Sequence, residues 1–179
     1  HIANHLISDS SDEIIQKFDN LILLVDNTIK TARRIMTDLR PEVLELLGFT
    51  EAVKAHIKTF GERYKIETNF VNNINQLTLN SQQSIALFRI IQEALNNVAK
   101  HAQATKVEII LTQSIDKLTL KIEDNGIGIE KNAKRKTESF GIIGMRERIF
   151  LLGGEITIDG EKKKGTTILI EIPLKNNMN

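Results

Sequence analysis

Glu93 and Asn97 stand four residues apart in the run Glu93-Ala94-Leu95-Asn96-Asn97-Val98-Ala99-Lys100-His101-Ala102. On a helix that spacing stacks both side chains on one face. A carboxylate and an amide oxygen so placed could meet a hydrated Mg2+, which takes oxygen ligands, keeps several waters and is shared with phosphates. Lys100 falls on the same face one turn later, with His101 beside it, and a cation there meets a phosphate as a point charge. Downstream, Asp124-Asn125-Gly126-Ile127-Gly128 offers a carboxylate able to accept a hydrogen bond from an exocyclic amine. Its glycines let the backbone close against a flat base, although Asp-Asn-Gly is also an ordinary turn. Gly141-Ile142-Ile143-Gly144-Met145 opens a helix whose free N–H groups and dipole suit an anion, or is simply a helix start. Taken singly, each piece also describes common solvated structure. In this order and at this spacing they describe a pocket for a magnesium nucleotide. The chain has neither a Walker-type loop nor a dinucleotide fingerprint, so the folds built on those gain no support.

The elements that must hold these residues follow from periodicity. Ser10 and Glu13 have the form of a capping box, after which a long helix is expected to about Leu39. Its seam runs through Ile14, Phe18, Leu21, Val25, Thr28, Ala32, Ile35 and Leu39 in alternating steps of four and three, a heptad pattern. Such a stripe wants a partner, which is a preceding helix, another copy of the chain, or the chain's own C-terminal part. Pro41 ends this helix, and residues 41–48 read as a short linker. A second helical pattern covers Phe49 to Arg63. Lys65 to Val71 alternates weakly as a strand. Ser81 is the expected N-cap of the helix that carries Glu93, with Phe88, Ile91, Leu95, Val98 and Ala102 as its apolar stripe and Arg89, Glu93, Asn96, Asn97 and Lys100 opposite. Lys106 to Gln113 and Lys117 to Glu123 form a hairpin, Phe140 to Leu152 a helix, and Glu155 to Asp159 with Thr166 to Ile172 two further strands. Strands that follow one another directly argue against a doubly wound parallel sheet. The expected class is α+β: a helical stalk, a partial dimerisation hairpin, over 1–41, then a two-layer α/β sandwich with a mixed, largely antiparallel sheet over 48–175.

Composition sets the outer bounds. The chain has 179 residues, enough for one core-forming domain and an appendage. A formal charge of +1 gives no global electrostatic case for nucleic-acid or membrane binding. The absence of cysteine excludes disulfides, thiolate chemistry and cysteine-ligated metals. The longest apolar run, Leu21 to Val25, is far short of the roughly 20 residues a membrane helix needs. A cytoplasmic piece is expected, either free or cut from a membrane-bound sensor.

Together the motifs resemble those of sensor histidine kinases. Residues 93–102 look like the N box, 124–129 like the G1 box, 140–148 with Leu152-Gly153-Gly154 like the G2 region, and Gly165-Thr166-Thr167 like the last nucleotide-box element. Gly144-Met145-Arg146-Glu147-Arg148, with Asp38-Leu39-Arg40-Pro41 upstream, is similar to the branch of the nitrate and membrane-fluidity sensors. The resemblance implies the Bergerat fold shared with gyrases and heat-shock chaperones, with ATP and Mg2+ as cofactors. It implies that Glu93 acts as the catalytic carboxylate through a metal-bound water, that Asn97 ligates Mg2+, and that Lys100 and His101 approach the phosphates. Asp124 would read adenine with help from Thr166, and Gly126, Gly128, Gly141 and Gly144 would shape the pocket. Residues 130–139, with Lys131, Lys134, Arg135 and Lys136, would be the ATP lid. The implied partners are a second copy through the stalk and a response-regulator receiver domain, with no nucleic acid and no membrane contact.

In that branch the phosphorylated histidine is followed by Asp or Glu. Here His1 precedes Ile2, His5 precedes Leu6, His56 precedes Ile57, and His101 precedes Ala102. The expectation is therefore a catalytic region whose acceptor lies before residue 1. The alternatives are a degenerate, non-catalytic nucleotide-binding dimerisation scaffold, and an ATPase or Ser kinase of the same superfamily.

Overall fold

The computed structural model describes residues 17, 18, 21, 22, 24, 25, 42–74, 77–128, 140–161 and 164–174. The chain divides into two compact units, His1–Pro41 and Glu42–Asn179. In the first, Lys17, Phe18, Leu21, Ile22, Leu24 and Val25 are helical, and Phe18, Leu21 and Val25 of the expected seam are exposed. The capping box at Ser10, the remaining seam positions and the Asp38-Leu39-Arg40-Pro41 end lie outside the described residues.

The second unit runs α1 (Glu42–Tyr64), β1 (Glu67–Asn72), α2 (Ser81–Asn97), a π-helical turn (Val98–Ala102), β2 (Lys106–Gln113), β3 (Lys117–Asp124), α3 (Phe140–Leu151), β4 (Glu155–Glu161) and β5 (Gly165–Pro173). The strands form one sheet in the order β1-β2-β3-β5-β4. β1 pairs with β2 in parallel and the remaining pairs are antiparallel. This is the α+β arrangement that the pattern of elements predicts. Among the described residues no helix is long and apolar enough to cross a membrane.

Alternation explains which face of the sheet is covered. On β2 the buried positions are Val107, Ile109 and Leu111, and on β3 they are Leu118, Leu120 and Ile122. Side chains two apart on a strand share a face, so these rows meet the helices, together with Ile168, Ile170 and Ile172 of β5. From α2 the core takes Leu87, Phe88, Ile90, Ile91, Ala94 and Leu95, and from α1 Val53, Ile57 and Phe60. Each buried Val, Leu, Ile or Phe side chain contributes about 1.5–3 kcal/mol, which is why the pattern prevails over local preference. The inward row of β3 then continues to Asp124, which is only 7% exposed. A carboxylate at a position reserved for core residues costs free energy unless it is hydrogen-bonded.

Four local expectations need correction. Residues 42–47 are not linker but helix, with Leu44 buried; Gly48 (φ 74°, ψ 169°) breaks the helix in the left-handed φ range that glycine tolerates. The N-cap of α2 is Asn80 rather than Ser81. Asn80 Oδ1 accepts from Gln83 N (2.8 Å) while Gln83 Oε1 accepts from Asn80 N (3.1 Å), a reciprocal box contributing about 1 kcal/mol. Arg89 is not on a solvated face: it is buried, and its Nη1 donates to Gln92 Oε1 at 2.7 Å. Finally, the α-helical ladder stops at Asn97, and Val98–Ala102 widens into a π turn.

Candidate functional site

The end of α2 and the 124–128 turn are built onto one another. Gln103, in a left-handed conformation (φ 51°), caps the π turn and directs the chain into β2. Asn125 then clasps the start of that strand: its Oδ1 accepts from Thr105 N and Lys106 N, both at 2.9 Å, and its Nδ2 donates to Thr105 Oγ1 at 2.9 Å. The backbone reinforces the clasp through Asn125 N to Lys106 O (3.2 Å) and Ile127 N to Ala102 O (2.8 Å). Asp124 Oδ1 accepts from Gly126 N at 2.8 Å, which meets part of the cost of its burial and leaves further carboxylate lone pairs for another donor.

Glycines let the backbones approach at this junction. A Cβ on Gly126 would overlap the Ala102 carbonyl, and one on Gly128 (φ +73°) would overlap the Glu161 carbonyl. Gly165 (φ +87°) lies against the Asp124 carbonyl, which brings the start of β5 to the same place. Thr167 of β5 faces Glu123 of β3. One residue further on, Thr166 comes level with Asp124 and shares the inward parity of Ile168, so both sit at the sheet's inner face. Asp124 itself faces Val107 on its other side.

Glu93 and Asn97 are both half-buried, one turn apart on the last two turns of α2. Gly141 in the first turn of α3 is so close that a Cβ there would overlap Glu93 Oε1. Lys100 and His101, on the π turn, are exposed. At Gly144 the nearest group to an added Cβ is the Arg148 guanidinium of its own helix, at 2.9 Å. The expected lid, 130–139, lies outside the described residues.

Among the described residues there is no group of three or more His, Cys, Asp or Glu that could hold a metal by itself. Glu93 and Asn97 are a sparse all-oxygen pair, which fits Mg2+ shared with phosphates and water rather than a self-contained protein cage. The arrangement thus offers a buried carboxyl acceptor on β3, a carboxylate–amide pair on the flanking helix, the exposed Lys100 with His101 beside it, and glycine-lined backbone between.

One contributor escapes the sequence reading: Asn125 reads as a turn residue, yet it is the clasp. Gly165, which the sequence groups with Thr166 and Thr167, packs behind Asp124 with a left-handed φ.

Comparison with known proteins identifies the family. The family described as histidine kinase-, DNA gyrase B-, and HSP90-like ATPase matches residues 82–176. The signal transduction histidine-protein kinase/phosphatase DegS of Brevibacillus brevis is 37% identical over 163 residues, covering 91% of this chain and 42% of that protein. The oxygen sensor histidine kinase NreB of Staphylococcus carnosus is 29% identical over 163 residues, covering 91% and 47%. The chain therefore spans less than half the length of these curated relatives. Among solved structures, the histidine kinase domain of the Erythrobacter litoralis EL346 blue-light activated kinase superposes with a TM-score of 0.62 at 19% identity, covering 70% of this chain and 61% of that one. At that identity the likeness concerns the fold.

Proposed function

The chain belongs to the histidine kinase-, DNA gyrase B-, and HSP90-like ATPase family, and from that premise we propose that it is the ATP-binding catalytic region of a two-component sensor histidine kinase, with residues 1–41 as part of a dimerisation stalk and 48–175 as the catalytic domain. The observation that carries this reading is Asp124. It is a carboxylate at a core position of β3, held by Gly126 N–H, with acceptor capacity left for the exocyclic amine of adenine. Thr166 stands level with it to assist.

From the base, the nucleotide runs toward the end of α2, where Lys100 and His101 approach the phosphates. Asn97, with Glu93 acting through a bound water, would hold Mg2+, which would supply charge neutralisation at the phosphates. Glu93 orients and polarises the reacting centre, and Gly126, Gly128, Gly141 and Gly144 keep the walls thin. In the transfer, the bond between the γ-phosphorus and the bridging oxygen breaks, a P–N bond to a histidine forms, and ADP leaves. A receiver aspartate of a response regulator is the onward acceptor. Such transfer depends on positioning and charge stabilisation far more than on covalent help from the protein.

None of His1, His5, His56 or His101 is followed by an acidic residue, so the accepting histidine is supplied by another stalk segment. The reading is tested by incubating the chain with radiolabelled Mg-ATP, alone and with a separate histidine-bearing stalk from a relative. Label should appear on the added stalk, acid-labile and alkali-stable. Such label on His1 or His5 of the chain alone would refute the acceptor assignment, and binding of ATP with no transfer to any stalk would favour the scaffold alternative.

A further inference from the structure

We propose that Asn125 is a positioning residue: by clasping the chain just beyond the π turn, it fixes the direction in which Lys100 and His101 leave the end of α2. This role rests on the reading above, in which those two side chains approach the phosphates. Asn125 is exposed, yet the protein engages its carboxamide three times. Its Oδ1 accepts from Thr105 N and Lys106 N, and its Nδ2 donates to Thr105 Oγ1.

The segment beside it is one that local preference does not hold. π turns are rare and occur mostly as single turns within α-helices. A ladder bonded from i to i+5 rather than i to i+4 takes up an extra residue, and one residue of an α-helix is about 100° of rotation. The α spacing from Glu93 and Asn97 would put Lys100 on their face. The width of the turn therefore decides which of Lys100 and His101 points there. Burial of Val98 and Ala102 holds one side of the turn against the core, but the exit is strained. Gln103 follows with φ 51°. That left-handed conformation is unfavourable for a residue with a Cβ and persists where the surroundings enforce it.

The enforcing ties come from the segment 125–127. Two are backbone bonds that do not depend on the side chain at 125: Ile127 N to Ala102 O (2.8 Å) and Asn125 N to Lys106 O (3.2 Å). They leave residues 103–105 between them. The Asn125 carboxamide closes that gap, with its three bonds to Thr105 and Lys106 all at 2.9 Å. Without it, Gln103 can leave the left-handed region, the turn can rewind, and Lys100 and His101 swing. Asp124 keeps its own bond to Gly126 N, so the base end of the pocket is spared.

The test measures Mg-ATP and adenosine affinities of the whole chain by NMR titration, beside thermal melts. Asn125→Ala should lower the ratio of ATP to adenosine affinity about fivefold and leave adenosine within about twofold. Gln103→Gly, which removes the left-handed strain, should restore most of the ratio in the Asn125→Ala background. With Lys100→Ala and His101→Ala already in place, Asn125→Ala should change the ratio by less than about twofold. Should Asn125→Ala melt below the assay temperature, Thr105→Val, which removes the Oγ1 arm alone, should lower the ratio about twofold. A native chain with no preference for ATP over adenosine would sink the phosphate reading and this role with it. A native preference that the clasp variant keeps, an equal loss of ATP and adenosine, or no recovery with Gln103→Gly would overturn the role of Asn125 alone.

Discussion

Gly141→Ala isolates the relation between α3 and Glu93. A Cβ at residue 141 would overlap Glu93 Oε1 and lie 2.8 Å from its Cδ and 3.3 Å from its Cγ. All three atoms belong to a flexible, half-buried side chain, so the conflict is relieved by moving Glu93 rather than the helices. An off-rotamer Glu93 costs about 1 kcal/mol, and replacing glycine by alanine in a helix returns up to about 1 kcal/mol. Global stability should therefore change by less than about 1 kcal/mol. Catalysis should not be spared: shifting a positioned group by about 1 Å costs on the order of 100-fold in rate. The assay pairs thermal melting and ATP calorimetry with the initial rate of phosphoryl transfer to an added histidine-bearing stalk. The expected result is an unchanged melt, ATP affinity within about threefold, and a rate down about 100-fold. In Glu93→Ala the second substitution should then add nothing, the sign that both act on one group. A Gly141→Ala protein of normal stability and normal rate would refute this reasoning.

Gly165→Ala should be more damaging to the fold, because φ is +87° and the Cβ would meet the Asp124 backbone, which cannot swing away. Left-handed strain of about 1–2 kcal/mol and an overpacking cost of about 1–3 kcal/mol add to about 2–5 kcal/mol, whereas Gly48→Ala, with φ +74° and nothing within 4 Å, should lose only the strain; parallel urea melts compare the two. His56 predicts a pH effect. Burial holds its pKa below the usual 6.5, and its ring lies 5.5 Å from that of Phe88. The unfolded chain then binds more protons than the folded one between the depressed folded pKa and about 6.5, so stability from this residue is present above pH 6.5 and is lost as pH falls through that window. Melting temperatures from pH 7.5 to 5 should fall more steeply for the native chain than for His56→Gln, and parallel curves would contradict the burial effect.

Much of this fold was readable because core burial imposes a period. The β2–β3 hairpin and α3 stand where alternation and helical spacing put them, within a residue or two. The parallel partner of β1 was not readable, since Glu67–Asn72 alternates weakly and nothing local specifies which strand it meets. Nor was the π turn, because a wider ladder has no composition signature, although such turns recur at functional sites. Arg89 was misread because one helical face can be polar in sequence and still be covered in space. At the site, the N-box spacing and Asp-Asn-Gly turn identify residue types, and the structure adds what ties them together: the Asn125 clasp to Thr105 and Lys106, and the glycines that close Gly126 on Ala102, Gly165 on Asp124 and Gly141 on Glu93.

The account turns on whether Asp124 reads an adenine amine. Asp124→Asn retains an amide oxygen to accept from Gly126 N–H, so the turn survives, but it presents an NH2 donor where the carboxylate would accept. Losing a charge-assisted bond and setting donor against donor costs about 3 kcal/mol or more, at least about 100-fold in affinity. Titration calorimetry of Mg-ATP into the native chain and Asp124→Asn, with circular dichroism confirming both folds, measures this directly. The account predicts saturable binding to the native chain and none detectable to the variant. Equal ATP affinity in the two proteins would contradict it.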